Sequence, residues 1–249
     1  MHVHTDDLGG WGLERSQSGP DDYAAFKVQA EQTTCWLDAV EHRGFAAGAA
    51  LALAEAAEAG GDQTMASFWA NEAALMGHDA LAALSDHCSF HEAEELEQCP
   101  GCSSARIAQA LFVAGVAFEA NGEDDAAITA SEHAVRALAA AGPCADRSRV
   151  VEAPRVAAAV MRARGRFDRD LALAVRGLAV AHQCEVALAF VELAEVRLRQ
   201  GGWTNADIRE RVAAVRGATR HSMLLTSTAR ADIEQRCREI EATLRSRKR

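Results

Sequence analysis

The stretch LFVAGVAFEANGEDDAAITASEHAVRAL, residues 111–138, decides the fold class. It holds two Ala-rich apolar segments, separated by Asn121-Gly122 and the acidic pair Asp124-Asp125. Asn and Gly both tolerate the left-handed conformation that often follows a helix. Acidic residues favour the first turn of a helix because they complement its dipole. The stretch therefore predicts two helices joined by a tight turn.

Similar breaks recur along the chain, at Gly60-Gly61, Gly142-Pro143, Gly165 and Gly201-Gly202. Between them the sequence is rich in Ala and Leu, with only 5% aromatic residues and no alternating pattern of the kind that indicates a strand. The breaks favour helices of roughly 14–22 residues in antiparallel pairs. We therefore predict an all-α fold, with a first helix from Asp21 to about His42.

The domain limits follow from composition. Residues 1–20 contain four Gly and one Pro, which predicts a flexible leader. Residues 21–249 then form one helical domain that ends in a capping helix over 223–247. That last segment carries an apolar stripe at helical spacing, which should close the core. The stripe comprises Ala229, Ile233, Cys237, Ile240 and Leu244.

Small and large apolar residues recur at fixed offsets around Gly122, so that the helices of one hairpin can approach closely. In this respect 111–138 resembles a tetratricopeptide repeat (TPR). Ser131 stands where that family usually has an aromatic residue, and its closing Pro is displaced to Pro143. Residues 163–181 and 191–202 resemble, more loosely, the degenerate repeats of bacterial transcription regulators. The resemblance implies a TPR-like solenoid that binds proteins or peptides, and no catalytic residue. The matching positions are Gly115, Phe118, Gly122, Ala127 and Ala134.

Charge is unevenly distributed along the chain. Residues 1–125 hold 4 basic and 22 acidic residues, whereas residues 126–249 hold 22 basic and 14 acidic ones, so the net charge of −10 conceals a basic half. Such asymmetry indicates self-association or two different partners. We predict that the densest basic cluster binds an acidic protein or peptide, with nucleic acid as the weaker alternative. The cluster comprises Arg162, Arg164, Arg166, Arg169 and Arg176.

The segment HCSFHEAEELEQCPGC, residues 87–102, differs from the helical pattern around it. Two close pairs of Cys or His from two short segments suit tetrahedral zinc. We predict a zinc-clipped insertion over 85–104, because so polar a segment has little apolar surface to hold it down. The predicted ligands are Cys88, His91, Cys99 and Cys102, with His87 as the alternative.

Three other readings of this segment stay open: a dithiol–disulfide at Cys99 and Cys102, unliganded cysteines, and a zinc-dependent enzyme with Glu92 as base. Cys144, in the predicted loop after Pro143, has no assigned role. The remaining cysteines, Cys35, Cys184 and Cys237, are expected to be small buried residues.

Features that would indicate other protein classes are missing from the sequence. We see no secretory pattern at the N-terminus and no apolar run of roughly 18 residues, which predicts a cytoplasmic protein without membrane contact. No phosphate-binding, dinucleotide or hydrolase motif occurs either. The sequence therefore favours a non-enzymatic adaptor or regulatory protein with a structural zinc ion.

Overall fold

A computed structural model describes residues 19–87, 99–181, 187–221 and 226–246. Within these ranges the chain forms helices and turns and no β-strand, which confirms the all-α class. The helices are α1 (Pro20–Gln32), α2 (Trp36–Ala59), α3 (Gln63–His87), α4 (Pro100–Ala120), α5 (Asp124–Ala141), α6 (Arg147–Ala163), α7 (Arg169–Ala181), α8 (Ala187–Gln200), α9 (Asn205–His221) and α10 (Ser227–Ser246).

The first helix ends ten residues earlier than predicted, at Gln32 rather than near His42. Thr33 is extended, with φ −73° and ψ 139°, and its Oγ1 accepts a hydrogen bond from the backbone N–H of Cys35 at 3.2 Å. This local bond offers the backbone an alternative to helical pairing. A second helix, α2, therefore begins at Trp36.

Three turns share one hydrogen-bonding pattern. Gly61, Gly122 and Gly165 each follow a helix with positive φ, at 79°, 75° and 63°. The next residue donates its N–H to the carbonyl five positions back, as in a Schellman motif. These bonds join Asp62 to Ala57 at 2.9 Å, Glu123 to Phe118 at 2.8 Å, and Arg166 to Met161 at 3.2 Å.

The predicted breaks at these three glycines are thus confirmed. The two intervals between successive glycines of this set are unequal in length, and neither is a multiple of the 34 residues of a TPR unit.

The chain divides into two compact units. The first holds the described residues of Met1–Leu96 and Gln109–Ala130, and its core is built mainly from alanines that let α2 and α3 approach closely. Tyr23 and Met76 complete that core. The second unit holds the described residues of Glu97–Ala108 and Ser131–Arg249.

The core of the second unit includes the predicted stripe of the last helix. Ile233, Cys237, Ile240 and Leu244 of α10 are buried together with residues of α8 and α9. The helix itself is Ser227–Ser246, close to the predicted 223–247. The side chain of Ala229, the fifth member of the stripe, lies outside the described residues.

Two predicted segments lie only partly within the described residues. Residues 1–18 of the proposed leader lie outside them, whereas Pro20 is already the first residue of α1. Of the proposed insertion, residues 85–87 belong to α3 and residues 100–104 to α4, so its described parts are helical except for Cys99, which directly precedes α4. The described chain includes one helix, α4, with the length and apolarity to cross a membrane, and 56% of its apolar window is buried within the protein.

Candidate metal centre and arginine groove

Three cysteines gather at the start of α4. The sulfurs of Cys99, Cys102 and Cys144 all lie within 4.8 Å of one another. Cys99 and Cys102 are two of the predicted ligands, whereas Cys144 comes from the segment that follows α5. We call these three residues the cysteine cluster. All three are free thiols.

The local backbone aims the first two thiols at the same region. The carbonyl of Cys99 accepts hydrogen bonds from the N–H groups of Cys102, at 2.9 Å, and Ser103, at 3.2 Å, which start α4. Pro100 suits this position because the first residue of a helix needs no N–H donor.

The third thiol comes from a short 3-10 turn, Gly142–Cys144, directly after α5. Gly101 permits its approach. A Cβ at that position would lie 2.8 Å from the Ala141 carbonyl oxygen and 3.0 Å from Cys144 Sγ. Any larger residue at position 101 would therefore push Cys144 away from the other two cysteines.

The thiols of the cluster differ in acidity. Hydrogen bonds from the backbone N–H groups of Cys102 and Gly101 lower the pKa of the exposed Cys99. Burial, reinforced by the neighbouring thiols, raises the pKa of Cys144 to about 11. Without metal, Cys144 therefore stays protonated at neutral pH, and a bound cation would displace its proton.

The spacing of the sulfurs suits zinc. Cys99 Sγ and Cys144 Sγ are 3.9 Å apart. Zinc–sulfur bonds of about 2.3 Å in a tetrahedron place two sulfurs about 3.8 Å apart, whereas a disulfide requires about 2.05 Å. The cluster thus brings three sulfur donors close enough together to bind one metal ion.

The remaining predicted ligands are Cys88, His91 and the alternative His87. Cys88 and His91 lie outside the described residues, as does the side chain of His87, the last residue of α3.

Of the cysteines expected to be buried, Cys237 is fully buried, which confirms that prediction. Cys35 is only half-buried, so that prediction was wrong for it, and Cys184 lies outside the described residues.

The predicted arginine cluster is divided by the fold. Arg164 forms a salt bridge with Glu132 at 2.8 Å, and is therefore partly neutralised. Arg162 and Arg166 are exposed. Arg169 and Arg176 instead line a groove in the second unit.

This arginine groove has a volume of about 440 Å³ and is formed by α7, α8, α9 and the segments that flank them. Its apolar surface comes from Phe167, Leu173 and Trp203. Its cationic surface comes from Arg169, Arg176, Arg197 and Arg211. The last two arginines were not predicted. The only sequence signal for these two arginines is Trp203 between them, an aromatic residue that directly follows the break at Gly201-Gly202.

Aromatic rings fix the position of Arg197. Its guanidinium carbon lies 4.1 Å from the centre of the Phe167 ring and 5.6 Å from that of Trp203. One of its terminal nitrogens also donates to the Gly202 carbonyl at 3.1 Å. Arg211 lies 5.9 Å from the Trp203 ring centre. Such cation–π contacts hold a guanidinium in place without neutralising its charge.

The chain matches no family model, no curated protein and no solved structure.

Proposed function

We propose that this chain is a non-enzymatic adaptor or regulatory protein, that one structural zinc ion stabilises its second unit, and that it binds an acidic protein or peptide. The observation that carries the proposal is the 3.9 Å separation of Cys99 Sγ and Cys144 Sγ, with Cys102 beside them. Zinc at this point would join the start of α4 to the turn after α5. It would add folding free energy where the segment before α4 has few apolar residues.

The donor set favours a structural over a catalytic ion. A catalytic zinc keeps an open position for water or substrate and needs a nearby base. Among the described residues, the group of potential ligands contains sulfur donors only. The fourth ligand would then come from the predicted Cys88 or His91, with His87 as the alternative, which would close the site.

The adaptor role is supported by the helical architecture. Repeated helix–turn–helix units, with the same hydrogen-bonded turn at Gly61, Gly122 and Gly165, are typical of solenoids that bind partners along a surface. The uneven turn spacing departs from a regular TPR, so we propose TPR-like hairpins rather than a uniform repeat. The basic groove in the second unit supports an acidic partner.

A chelation experiment tests the zinc proposal. The purified chain should carry one zinc ion by native mass spectrometry, and removal by a chelator should lower its melting temperature. Re-addition of zinc should restore it. A metal-free chain that melts at the same temperature would contradict a structural role. An intact fold that loses a measurable activity with the metal would indicate the enzyme instead.

A further inference from the structure

The arginine groove gathers positive charge that no carboxylate of the described residues pairs in a salt bridge. Arg169, Arg176 and Arg211 form no salt bridge with any described residue. The pKa of Asp207 is lowered by hydrogen bonds from Thr204 and, to a smaller extent, by the charge of Arg211. Elsewhere in the second unit, arginines are neutralised by close carboxylates, as between Arg216 and Glu234 at 3.0 Å or Arg236 and Glu192 at 2.9 Å. Like charges held around one groove repel each other, so an anion placed among them lowers the electrostatic free energy.

The guanidinium of Arg197 is held in one orientation, but the described residues do not use all of its hydrogen-bonding capacity. Its Nε is buried and has no hydrogen-bond partner among the residues that the structure describes, although a terminal nitrogen donates to Gly202. The rings of Phe167 and Trp203 restrict the side chain, so little conformational entropy remains to be lost on binding. A planar guanidinium held in this way suits bidentate pairing with a carboxylate.

An apolar surface lies beside these charges. Leu173 is 50% exposed although it belongs to α7, and it borders the same groove as Trp203. An exposed leucine between arginines offers contact for an apolar side chain of a ligand. A purely ionic ligand would leave this surface in water.

We infer that the arginine groove binds a peptide segment of a partner protein in which carboxylate side chains flank an apolar side chain. The inference rests on the proposed function, because it locates the acidic partner. Single-stranded nucleic acid suits the groove less well. Bases stack on free aromatic faces, and here guanidinium groups of Arg197 and Arg211 already lie over Phe167 and Trp203.

The test is a fluorescence-anisotropy titration of the full zinc-loaded chain with a labelled peptide in which Glu alternates with Leu. A matched peptide with Gln in place of Glu serves as the ligand control. We expect the Glu peptide to bind and the Gln peptide to bind at least roughly ten-fold more weakly, since charge-assisted contacts are lost. An oligothymidylate is titrated in parallel.

Protein variants locate the binding site. Arg176→Glu should weaken the Glu peptide roughly ten-fold or more, and Leu173→Ala should weaken it a few-fold. Arg162→Glu, which changes an exposed arginine outside the groove, should leave binding unchanged. Circular dichroism checks that each variant is folded, and Arg176→Gln replaces Arg176→Glu if the latter is not.

The outcomes separate the inference from the proposed function. Equal binding by Arg176→Glu and Arg162→Glu would overturn the groove as the site while leaving an acidic partner in place. If the folded chain binds neither peptide, both the groove and the acidic partner are wrong, although the zinc proposal stands. Tighter binding of oligothymidylate than of the Glu peptide would show that the ligand of the groove is nucleic acid rather than a peptide. Self-association that blocks the groove, detected by sedimentation, would show that a second copy of this chain occupies the groove instead of a partner protein.

Discussion

The sulfurs of Cys99 and Cys144 lie 3.9 Å apart although 45 positions separate the two residues in the sequence. One cysteine directly precedes the helix α4 and the other ends a 3-10 turn. A metal ion shared between them would restrain both. This makes Cys144, which has no motif around it, the most informative residue to change.

Replacing Cys144 by Ser should remove zinc and lower the melting temperature by about 10 °C. The expectation follows from the loss of several kcal/mol of metal-linked folding free energy, at about 2–4 °C per kcal/mol for a chain of this size. Metal content by native mass spectrometry and thermal unfolding by circular dichroism are the measurements. Cys35→Ser is the control, because Cys35 is a half-buried free thiol outside the cluster. Retention of one zinc ion by Cys144→Ser would remove this residue from the site.

Alkaline pH should destabilise the protein through Cys237. Burial raises the pKa of this thiol from 9.0 to about 11. Because the folded-state pKa exceeds the unfolded one, the stabilisation is complete below pH 9 and is lost as pH rises through 11. The loss should reach about 2–3 kcal/mol, at 1.36 kcal/mol per pKa unit.

Urea unfolding of the wild type and of Cys237→Ala, across this pH range, measures the effect. The variant should lose less stability. The stability of the variant should still decrease as pH rises, because burial also raises the pKa of Tyr23. An identical decline in both proteins would exclude Cys237 as the cause.

Gly122→Ala should destabilise the α4–α5 turn by about 1–2 kcal/mol, because a Cβ at φ 75° meets the following carbonyl oxygen. Gly217→Ala is the matched control. Gly217 lies inside α9 without positive φ, and a Cβ there would have nothing within 4 Å. That substitution should stabilise the chain by about 0.5–1 kcal/mol. Chemical denaturation measures both, and equal signs for the two variants would contradict the role of the turn.

Arg236→Ala should cost about 3 kcal/mol, because it leaves the Glu192 carboxylate buried without its main partner. The Glu192 side chain is only 6% exposed, and its Oε1 accepts from Arg236 at 2.9 Å. Arg155, at 3.6 Å, compensates in part. Arg238→Ala, which removes an exposed pair with Glu234, should cost less than about 1 kcal/mol. Adding Glu192→Gln to Arg236→Ala should recover stability, and no recovery would argue against an uncompensated charge.

Local chemistry was sufficient to predict much of the fold. The breaks at Gly61, Gly122 and Gly165 could be predicted because glycine adopts positive φ readily. This property depends only on the local sequence. The break at Thr33 was missed because its signal is one side-chain hydrogen bond to Cys35. Thr33 and Thr34 stand in a segment without Gly or Pro, residues 21–42, and were not enough to predict it.

The candidate sites were predicted only where their residues are close in sequence. Cys99 and Cys102 are three positions apart and were found by spacing. Cys144 joins them only through the packing of the turn after α5 against the start of α4, which no spacing rule contains. Likewise, Arg176 was predicted from a local cluster of arginines, whereas Arg197 enters the groove through tertiary contacts with Phe167 and Trp203.

The close packing of Gly101 gives a criterion for recognising related proteins. Because a Cβ at this position would collide with the Ala141 carbonyl and Cys144 Sγ, a chain that keeps the third cysteine must also keep this glycine. A relative with Cys-Pro-Ala-Cys would have lost the geometry even with every thiol present. Joint occurrence of the glycine and the distant cysteine, rather than the cysteine pair alone, would therefore identify proteins that share this centre.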